Sequence, residues 1–191
     1  MTVICQMITV GKSQSVQIHI PSSCNRDSIR ILENGYADIF IGKNEKLELE
    51  ACLGEAGASL RIFGFLSGRA AEEQEFILRI YQDAPHTTAH VTFREALRDH
   101  ASSRFDALIR MGENAKGAVG KLSYRALLLS EGARAKPIPR MEILTKEVAS
   151  AGHEATVGKI DPLQLFYMQS RGLSRAEAED LIVEGFLKIA R

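Results

Sequence analysis

The stretch Gly152-His153-Glu154-Ala155-Thr156-Val157-Gly158-Lys159-Ile160-Asp161 divides the sequence into two parts with different patterns. Before it, short runs of alternating apolar and polar residues are separated by turn residues, which is typical of half-buried β-strands. After it, residues 162–172 and 173–186 have the pattern of two capped helices. The dividing stretch places a histidine beside a glutamate, with glycines on both sides. We therefore expect a β-rich body followed by a small helical segment.

The alternating runs recur roughly every 10–15 residues, a spacing that suits a sandwich, a barrel or a solenoid. In one example Leu47, Leu49, Ala51 and Leu53 lie on one face of a run. Periodicity alone does not separate the three architectures. Hairpin signals are few, and Asn34-Gly35 is the best of them. The alternating runs are residues 15–20, 46–53, 59–65, 76–81, 105–111, 124–129 and 140–144.

Capping signals define both helices. Asp161 precedes the first helix and Gln164 completes a capping box, while Gly172 provides a left-handed cap at its end. Ser174 and Glu177 form a second capping box. This helix pair is the most strongly signalled structural feature of the sequence.

Composition excludes several function classes. Lys plus Arg and Asp plus Glu both number 24, so the formal net charge is zero, and Trp is absent. Neither a basic field nor a base-stacking platform points to nucleic acid. We find no apolar run of membrane-spanning length and no secretory leader, so we expect no membrane partner.

Three cysteines, Cys5, Cys24 and Cys52, are widely spaced and odd in number. This pattern argues against a disulfide framework and favours a reducing cytoplasm. We interpret the three as small buried apolar residues. Stacked coils would bring them together only if the coils aligned.

One family has a sequence like this. GHEATVGKIDPLQLFYMQSRGLSRAEAEDLIVEGF resembles the C-terminal signature of the SufB/SufD family, the scaffold proteins of the SUF iron–sulfur cluster assembly system. The last coils of that family's β-helix are similar to the stretch FDALIRMGENAKGAVGKLSYRALLLSEGARAKPIPRMEI. A fainter similarity to the family extends to the stretch QDAPHTTAHVTFREALRD. The resemblance covers about residues 74–191 and is strongest from Ser123. It implies a right-handed parallel β-helix over residues 1–149 and a C-terminal helical segment over residues 150–191.

The resemblance also implies site residues. His153 matches the position that contributes to a nascent-cluster site at the dimer interface in SufD-type proteins, and Glu154 matches an interface glutamate of SufB-type proteins. Both side-chain types can bind iron. Taken alone, His153 fits a hydrogen-bonded residue at a strand-to-helix junction better, and Glu154 fits a solvated charge equally well. Tyr124 stands where SufB-type proteins carry an essential cysteine, so the chain is SufD-like and is not expected to build a cluster alone.

The implied partners are a SufC-like ABC ATPase docked on the C-terminal helices and, indirectly, a cysteine desulfurase system. A SufB-like companion or a second copy would form a two-fold dimer that brings Tyr124, His153 and Glu154 near the interface, where iron or a transient iron–sulfur cluster would bind. No glycine-rich stretch has phosphate-loop spacing, so we expect no nucleotide cofactor and no enzymatic activity.

Two alternatives remain open at this point. One is a structural paralogue, a dimeric β-helix interaction protein that holds no cluster. The other is a carbohydrate-active β-helix enzyme, for which the carboxylates Glu48 and Glu50 on one strand face are too few.

Overall fold

A computed structural model describes residues 4–21 and 23–188. In this part of the chain, twelve strands precede two helices. The elements are β1 (Ile4–Val10), β2 (Ser15–Ile20), β3 (Arg26–Ile31), β4 (Tyr36–Ile41), β5 (Lys46–Leu53), β6 (Ser59–Gly68), β7 (Glu73–Gln82), β8 (Thr88–Leu97), β9 (Ser102–Met111), β10 (Val119–Leu128), β11 (Arg134–Ile143), β12 (Ser150–Lys159), α1 (Pro162–Ser170) and α2 (Arg175–Leu187).

The strands form two six-stranded sheets, one with the order β1-β3-β5-β7-β9-β11 and the other with the order β12-β10-β8-β6-β4-β2. Every pairing is parallel, and consecutive strands lie in different sheets. The chain therefore winds as a solenoid in which each coil contributes one strand to each sheet. This confirms the predicted parallel β-helix. Asn34, at φ 52°, turns the chain between β3 and β4 and does not close a hairpin.

Side chains that face inward stack from coil to coil into one core. On β5 the inward residues Leu47, Leu49, Ala51 and Leu53 are at most 2% exposed. The core contains an aromatic cluster of Phe76, Phe93, Phe105 and Tyr124, in which the Phe93 and Phe105 ring centroids are 4.5 Å apart. Register explains the cluster, because Phe76 pairs with Phe105 and Phe93 pairs with Tyr124.

The β-helix continues beyond the predicted boundary between residues 149 and 150. β12 spans Ser150–Lys159 and pairs with β10 along its whole length, so about the first quarter of the predicted helical segment is a strand. The sequence lacked a signal for it because β12 is exposed on both faces and therefore has no apolar alternation.

The two helices follow as predicted. The Asp161 carboxylate accepts a hydrogen bond from the Leu163 N–H at 2.9 Å, and Ser174 and Glu177 form the reciprocal capping box of α2. Gly172, at φ 94°, takes the left-handed conformation that ends α1. Arg94 on β8 donates to the carbonyl oxygen of Phe186 at 2.7 Å, which holds the end of α2 against the even-numbered sheet.

Candidate functional site

The two predicted site residues lie in the middle of β12. His153 pairs with Leu122 and Glu154 pairs with Ser123 on β10. Interpreting His153 as a residue of a strand-to-helix junction is therefore wrong, because the strand continues to Lys159 before α1 begins. Both side chains are exposed, since β12 is the last strand of its sheet.

His153 and Glu154 face opposite sides of the sheet, as consecutive residues of a strand must. His153 continues the inward column of Leu122, which is 2% exposed, and Glu154 continues the outward column of Ser123. One iron ion cannot be bound by both side chains of the same chain. Among the described residues, no three His, Cys, Asp or Glu side chains are placed to hold a metal ion. A cluster at this position would need ligands from a second chain.

The inward face of β12 is an uncovered end of the core. Ala155 and Val157 continue the columns of the buried Tyr124 and Ala126, yet both are exposed, and Val157 is 41% exposed. No further coil covers them in the described part of the chain. His153 therefore projects into the space where the next coil of a continuing β-helix would pack.

Glu154 is already bound by neighbours on β10. Its Oε1 accepts a hydrogen bond from Ser123 Oγ at 2.7 Å and one from Arg125 Nη2 at 3.1 Å. The Ser123 hydrogen bond, together with the Arg125 hydrogen bond and charge, lowers the pKa of Glu154 below its ordinary value. The carboxylate is thus ionised at neutral pH, but it would have to give up these bonds to hold iron.

Tyr124 is fully buried and not part of the surface. Its hydroxyl donates to Glu95 Oε2 at 2.5 Å, and Ser103 Oγ donates to Glu95 Oε1 at 2.7 Å. Burial raises the pKa of Glu95 and also that of Tyr124. The side chain of Tyr124 lies one coil inside the open end, so only its backbone neighbour on β12, Ala155, faces the uncovered space.

Sequence reasoning missed Glu95 and Ser103. The sequence did contain a signal for Glu95, because this residue lies in the inward register of Val91, Phe93 and Leu97. A glutamate in a buried column requires hydrogen-bond donors on adjacent coils, and Tyr124 and Ser103 provide them.

The cysteines depart from the prediction. Cys24 is buried and disulfide-bonded, which corrects the expectation that no cysteine pairs. In a parallel solenoid, residues about one coil apart become neighbours, as Ile4 and Arg26 do. Wide spacing in sequence therefore does not exclude a disulfide. Cys52 is a free, half-buried thiol whose pKa is raised by burial, and the side chain of Cys5 lies outside what the structure describes.

The two sheets end in different edges. On β11 the N–H of Arg134 donates to Ala101 O on the β9 side. Alternate residues point the same way, so Pro137 and Pro139 occupy positions whose N–H would face the free edge, and proline has none. β12 contains no proline, and no described strand pairs with its free edge. The edge of β12 is therefore open to strand addition, whereas the edge of β11 is blunted.

The helix pair presents an exposed apolar surface. Leu163 is 75% exposed, Phe166 68% and Tyr167 57%, all on α1, and Leu181 on α2 is 48% exposed. Ala178 is the only residue of either helix that is fully buried. Neither described helix has the length and apolar character of a membrane span. Exposed apolar side chains grouped in this way are typical of interaction surfaces.

Comparisons with known proteins identify similar sequences in one family. The profile of the family described as "SUF system FeS cluster assembly, SufBD core domain" matches residues 22–186. The iron–sulfur cluster assembly protein SufD of Bacillus subtilis is 33% identical over 120 residues, which cover 63% of this chain and 27% of that protein. An iron–sulfur cluster assembly SufBD family protein of Mycobacterium tuberculosis is 36% identical over 140 residues, which cover 69% of this chain and 35% of that protein.

The iron–sulfur cluster assembly protein SufB of Bacillus subtilis is 28% identical over 150 residues, which cover 78% of this chain and 32% of that protein. The chain thus spans about a third of the length of the curated relatives it matches. Because the family profile covers most of the chain, including the open last coil and both helices, the chain belongs to the SufB/SufD family of the SUF system.

Proposed function

We propose that this chain is a non-enzymatic scaffold or partner subunit in SUF-type iron–sulfur cluster assembly. Family membership supports the pathway. The observation that carries the role is the unfinished last coil, where His153 stands on an uncovered inward face beside an open strand edge. A β-helix exposes such an end to water only at a cost in apolar burial, so the coil is suited to a second chain.

The second chain would pair through β12. Strand addition at this edge satisfies the unpaired N–H and C=O groups on alternate residues and covers Ala155 and Val157. In a two-fold dimer each His153 would meet its symmetry counterpart or the equivalent residue of a SufB-like companion. Iron, or a transient cluster as cargo, would then be held between the chains.

The thiolates for a stable cluster would come from a companion. Cys24 is disulfide-bonded, and Cys52 lies on β5, three coils before the β11–β12 coil. A homodimer could offer two imidazoles and two carboxylates, which bind iron weakly without thiolates. We therefore favour a heterodimer with a SufB-like subunit that carries the cysteine replaced here by Tyr124.

The exposed apolar surface of α1 would dock a SufC-like ABC ATPase. Leu163 and Phe166 are large, apolar and exposed, as anchor residues of a helix-mediated contact should be. The ATPase would supply nucleotide chemistry, and sulfur would arrive indirectly from a cysteine desulfurase system. We place this assembly in the cytoplasm on the ground of the family, because the cysteines no longer argue for a reducing compartment.

The site is tested by anaerobic reconstitution of the dimer with ferrous iron and sulfide, followed by measurement of bound iron. His153→Ala should reduce iron retention or activation of the companion, and the matched control His100→Ala, in the exposed turn between β8 and β9, should not. Unchanged iron in His153→Ala, with an intact fold, would contradict a ligand role for this histidine.

The docking surface is tested separately. The double substitution Leu163→Asp with Phe166→Asp should abolish co-purification with the ATPase, because it places charges where apolar anchors would be buried. Met7→Asp is the matched control, since Met7 is 67% exposed and lies on β1, in the first coil of the β-helix. Deletion of residues 173–191 should have the same effect as the double substitution, and full binding after either change would place the docking surface elsewhere.

A second candidate is a structural paralogue that dimerises without holding a cluster. The opposite orientation of His153 and Glu154, and the Glu154 bonds to Ser123 and Arg125, favour it over a self-sufficient cluster scaffold. Iron content separates the two: the paralogue would form the same dimer and show only background iron after reconstitution.

A further inference from the structure

Two arginines hold the helix pair against the β-helix. Arg94 on β8 donates to the carbonyl oxygen of Phe186 at 2.7 Å and to that of Lys188 at 3.1 Å. Arg98, directly after β8, donates to Asp180 Oδ1 at 2.5 Å. Within the described residues, no other hydrogen bond or ion pair joins the helices to the strands. The polar attachment of the helix pair therefore depends on these two side chains.

Arg94 lies at the C-terminal end of α2, where a helix favours a positive charge. The last turn of α2 has no basic residue of its own, and its terminal carbonyl groups lack partners within the helix. The Arg94 guanidinium supplies the charge and the donors, and its central carbon lies 5.8 Å from the centroid of the Phe186 ring. The sheet thus provides the C-terminal cap that α2 does not encode.

Apolar packing beneath the helices is incomplete. Two clefts, of about 480 and 350 Å³, lie between the helix pair and the ends of β10 and β12. Apolar side chains make up half of the larger cleft's lining, namely Leu127, Met168, Leu181, Ile182 and Phe186. Segments with few buried apolar contacts open at a lower free energy than the core does. The helix pair is therefore the part of the fold that is best suited to move as a unit.

The connection to the β-helix is short. Only Ile160 and Asp161 separate the end of β12 from the start of α1. α1 and α2 contact each other, and α2 lies against β8. A turn of the backbone at residues 160–161 would carry both helices away from the sheet together, as a hinge does.

We propose that the helix pair is a hinged arm, which Arg94 and Arg98 hold closed and which opens about Ile160 and Asp161 when their contacts are lost. Opening uncovers the underside of α2 and Leu127 on β10, which face each other across the larger cleft. This underside is separate from the exposed α1 surface of Leu163 and Phe166. The arm is a property of the isolated chain and does not depend on iron or on an ATPase.

The test is amide hydrogen exchange in α2 of the isolated whole chain. A helix of 13 residues is marginal in water without tertiary contacts, so its amides should exchange faster once the arm opens. Arg94→Met keeps the apolar part of the side chain but removes its donors, and should speed exchange in α2 by about fivefold. Arg125→Met is the matched control, because Arg125 pairs with Arg94 in the same outward column but bonds to Glu154. It should leave exchange in α2 unchanged.

A charge swap tests the second contact. Arg98→Glu and Asp180→Arg should each speed exchange in α2 by about fivefold, and the double variant should restore the natural rate because it re-forms the pair with its charges exchanged. Amides of β5 through β9 should keep their protection in every variant. Unchanged exchange in α2 of Arg94→Met, or a double variant that exchanges as fast as the single ones, would overturn the proposal. Faster exchange in β5 through β9 would also overturn it, because the arginines would then support the whole fold.

Discussion

The middle coils and the last coil share the same backbone architecture, but the inward side chains are buried in the middle coils and exposed in the last coil. In β7 through β10 the inward residues are buried, and Phe76, Phe93, Phe105 and Tyr124 are all 0% exposed. β12 continues the same parallel register, yet its residues are exposed on both faces. Hydrogen-bonded pairing therefore does not by itself create a core. A coil gains its apolar burial from the coils stacked on it. In the described part of the chain no coil is stacked on the outer side of the last one.

This difference in burial leads us to expect that the middle coils determine stability and the last coil determines association. Side chains of the middle coils are fixed by packing, so substitutions there should act on the free energy of unfolding. Side chains of the last coil contact few neighbours, so substitutions there should act on association and iron. The following predictions compare matched positions in the two regions.

Truncation of the aromatic cluster should have the largest effect on stability. Phe93→Ala removes a ring that contacts Phe76, Phe105 and Tyr124, and should lower the free energy of unfolding by about 3–5 kcal/mol. Val157→Ala, in an inward column of β12, should cost less than about 0.5 kcal/mol because its side chain is 41% exposed. Urea unfolding of the monomer measures both, and comparable losses would contradict the separation.

Adding one methyl group should distinguish the regions in the same way. A Cβ at Gly64 would lie 2.2 Å from a ring carbon of Phe93, so Gly64→Ala should cost about 1–3 kcal/mol through overpacking. A Cβ at Gly158 would meet nothing within 4 Å, so Gly158→Ala should be nearly neutral. Thermal unfolding of the two variants provides the measurement, and a neutral Gly64→Ala would mean that the core is looser than its packing indicates.

Glu95 should give the middle coils a pH dependence. Its folded pKa is raised by burial, so the folded state favours the protonated acid. The stability contributed by this group is present below the unfolded pKa, near 4.5, and is lost as pH rises through the folded pKa. Glu95→Gln keeps a hydrogen-bonding side chain without the charge, so its stability advantage over the natural chain should grow between pH 5 and pH 8.

Glu154 provides the matched comparison on the last coil. Its pKa is lowered by Ser123 and Arg125. The stability that this group contributes is therefore present above the unfolded pKa and is lost as pH falls. The group is exposed, and solvent screens such pairs, so Glu154→Gln should change stability little at any pH. Urea midpoints measured across the pH range compare the two glutamates. If the stability of Glu95→Gln relative to the natural chain falls as pH rises, Glu95 does not have the raised pKa described above.

His153→Ala should have the smallest effect on stability. The imidazole is exposed, so the unfolding temperature should stay within about 1–2 °C of that of the natural chain. A large thermal loss with unchanged iron retention would instead identify His153 as a structural residue and would favour the paralogue without a cluster.

The sequence predicts the strands of the core well where alternation is strong. β2 and β5 have the predicted limits, because their inward leucines and isoleucines alternate with polar residues. β8 is not among the predicted runs, because Glu95 interrupts the inward alternation of Val91 and Phe93 although its side chain is buried all the same. The stacking of the coils came from the family resemblance, since period-two alternation is the same in a sandwich and in a solenoid.

The residues of the candidate site could be predicted from the sequence, but their arrangement in space could not. The resemblance singled out His153 and Glu154, yet their opposite orientation follows only once β12 is known to be a strand. The Glu95–Tyr124 bond was also hidden, because it joins residues on different coils. The pairing of Cys24 was not predicted either. Contacts of this kind depend on register, and a single sequence does not contain it.

Amide hydrogen exchange along the last coil tests the central claim most directly. We predict that exchange in β12 slows when the chain is concentrated or mixed with a SufB-like companion, because strand addition protects the free edge and covers the inward face. Exchange in β5 through β10 should be unchanged, since those coils are already paired on both sides. If β12 exchanges at the same rate alone, concentrated and mixed, the last coil is a solvated end and not a subunit interface.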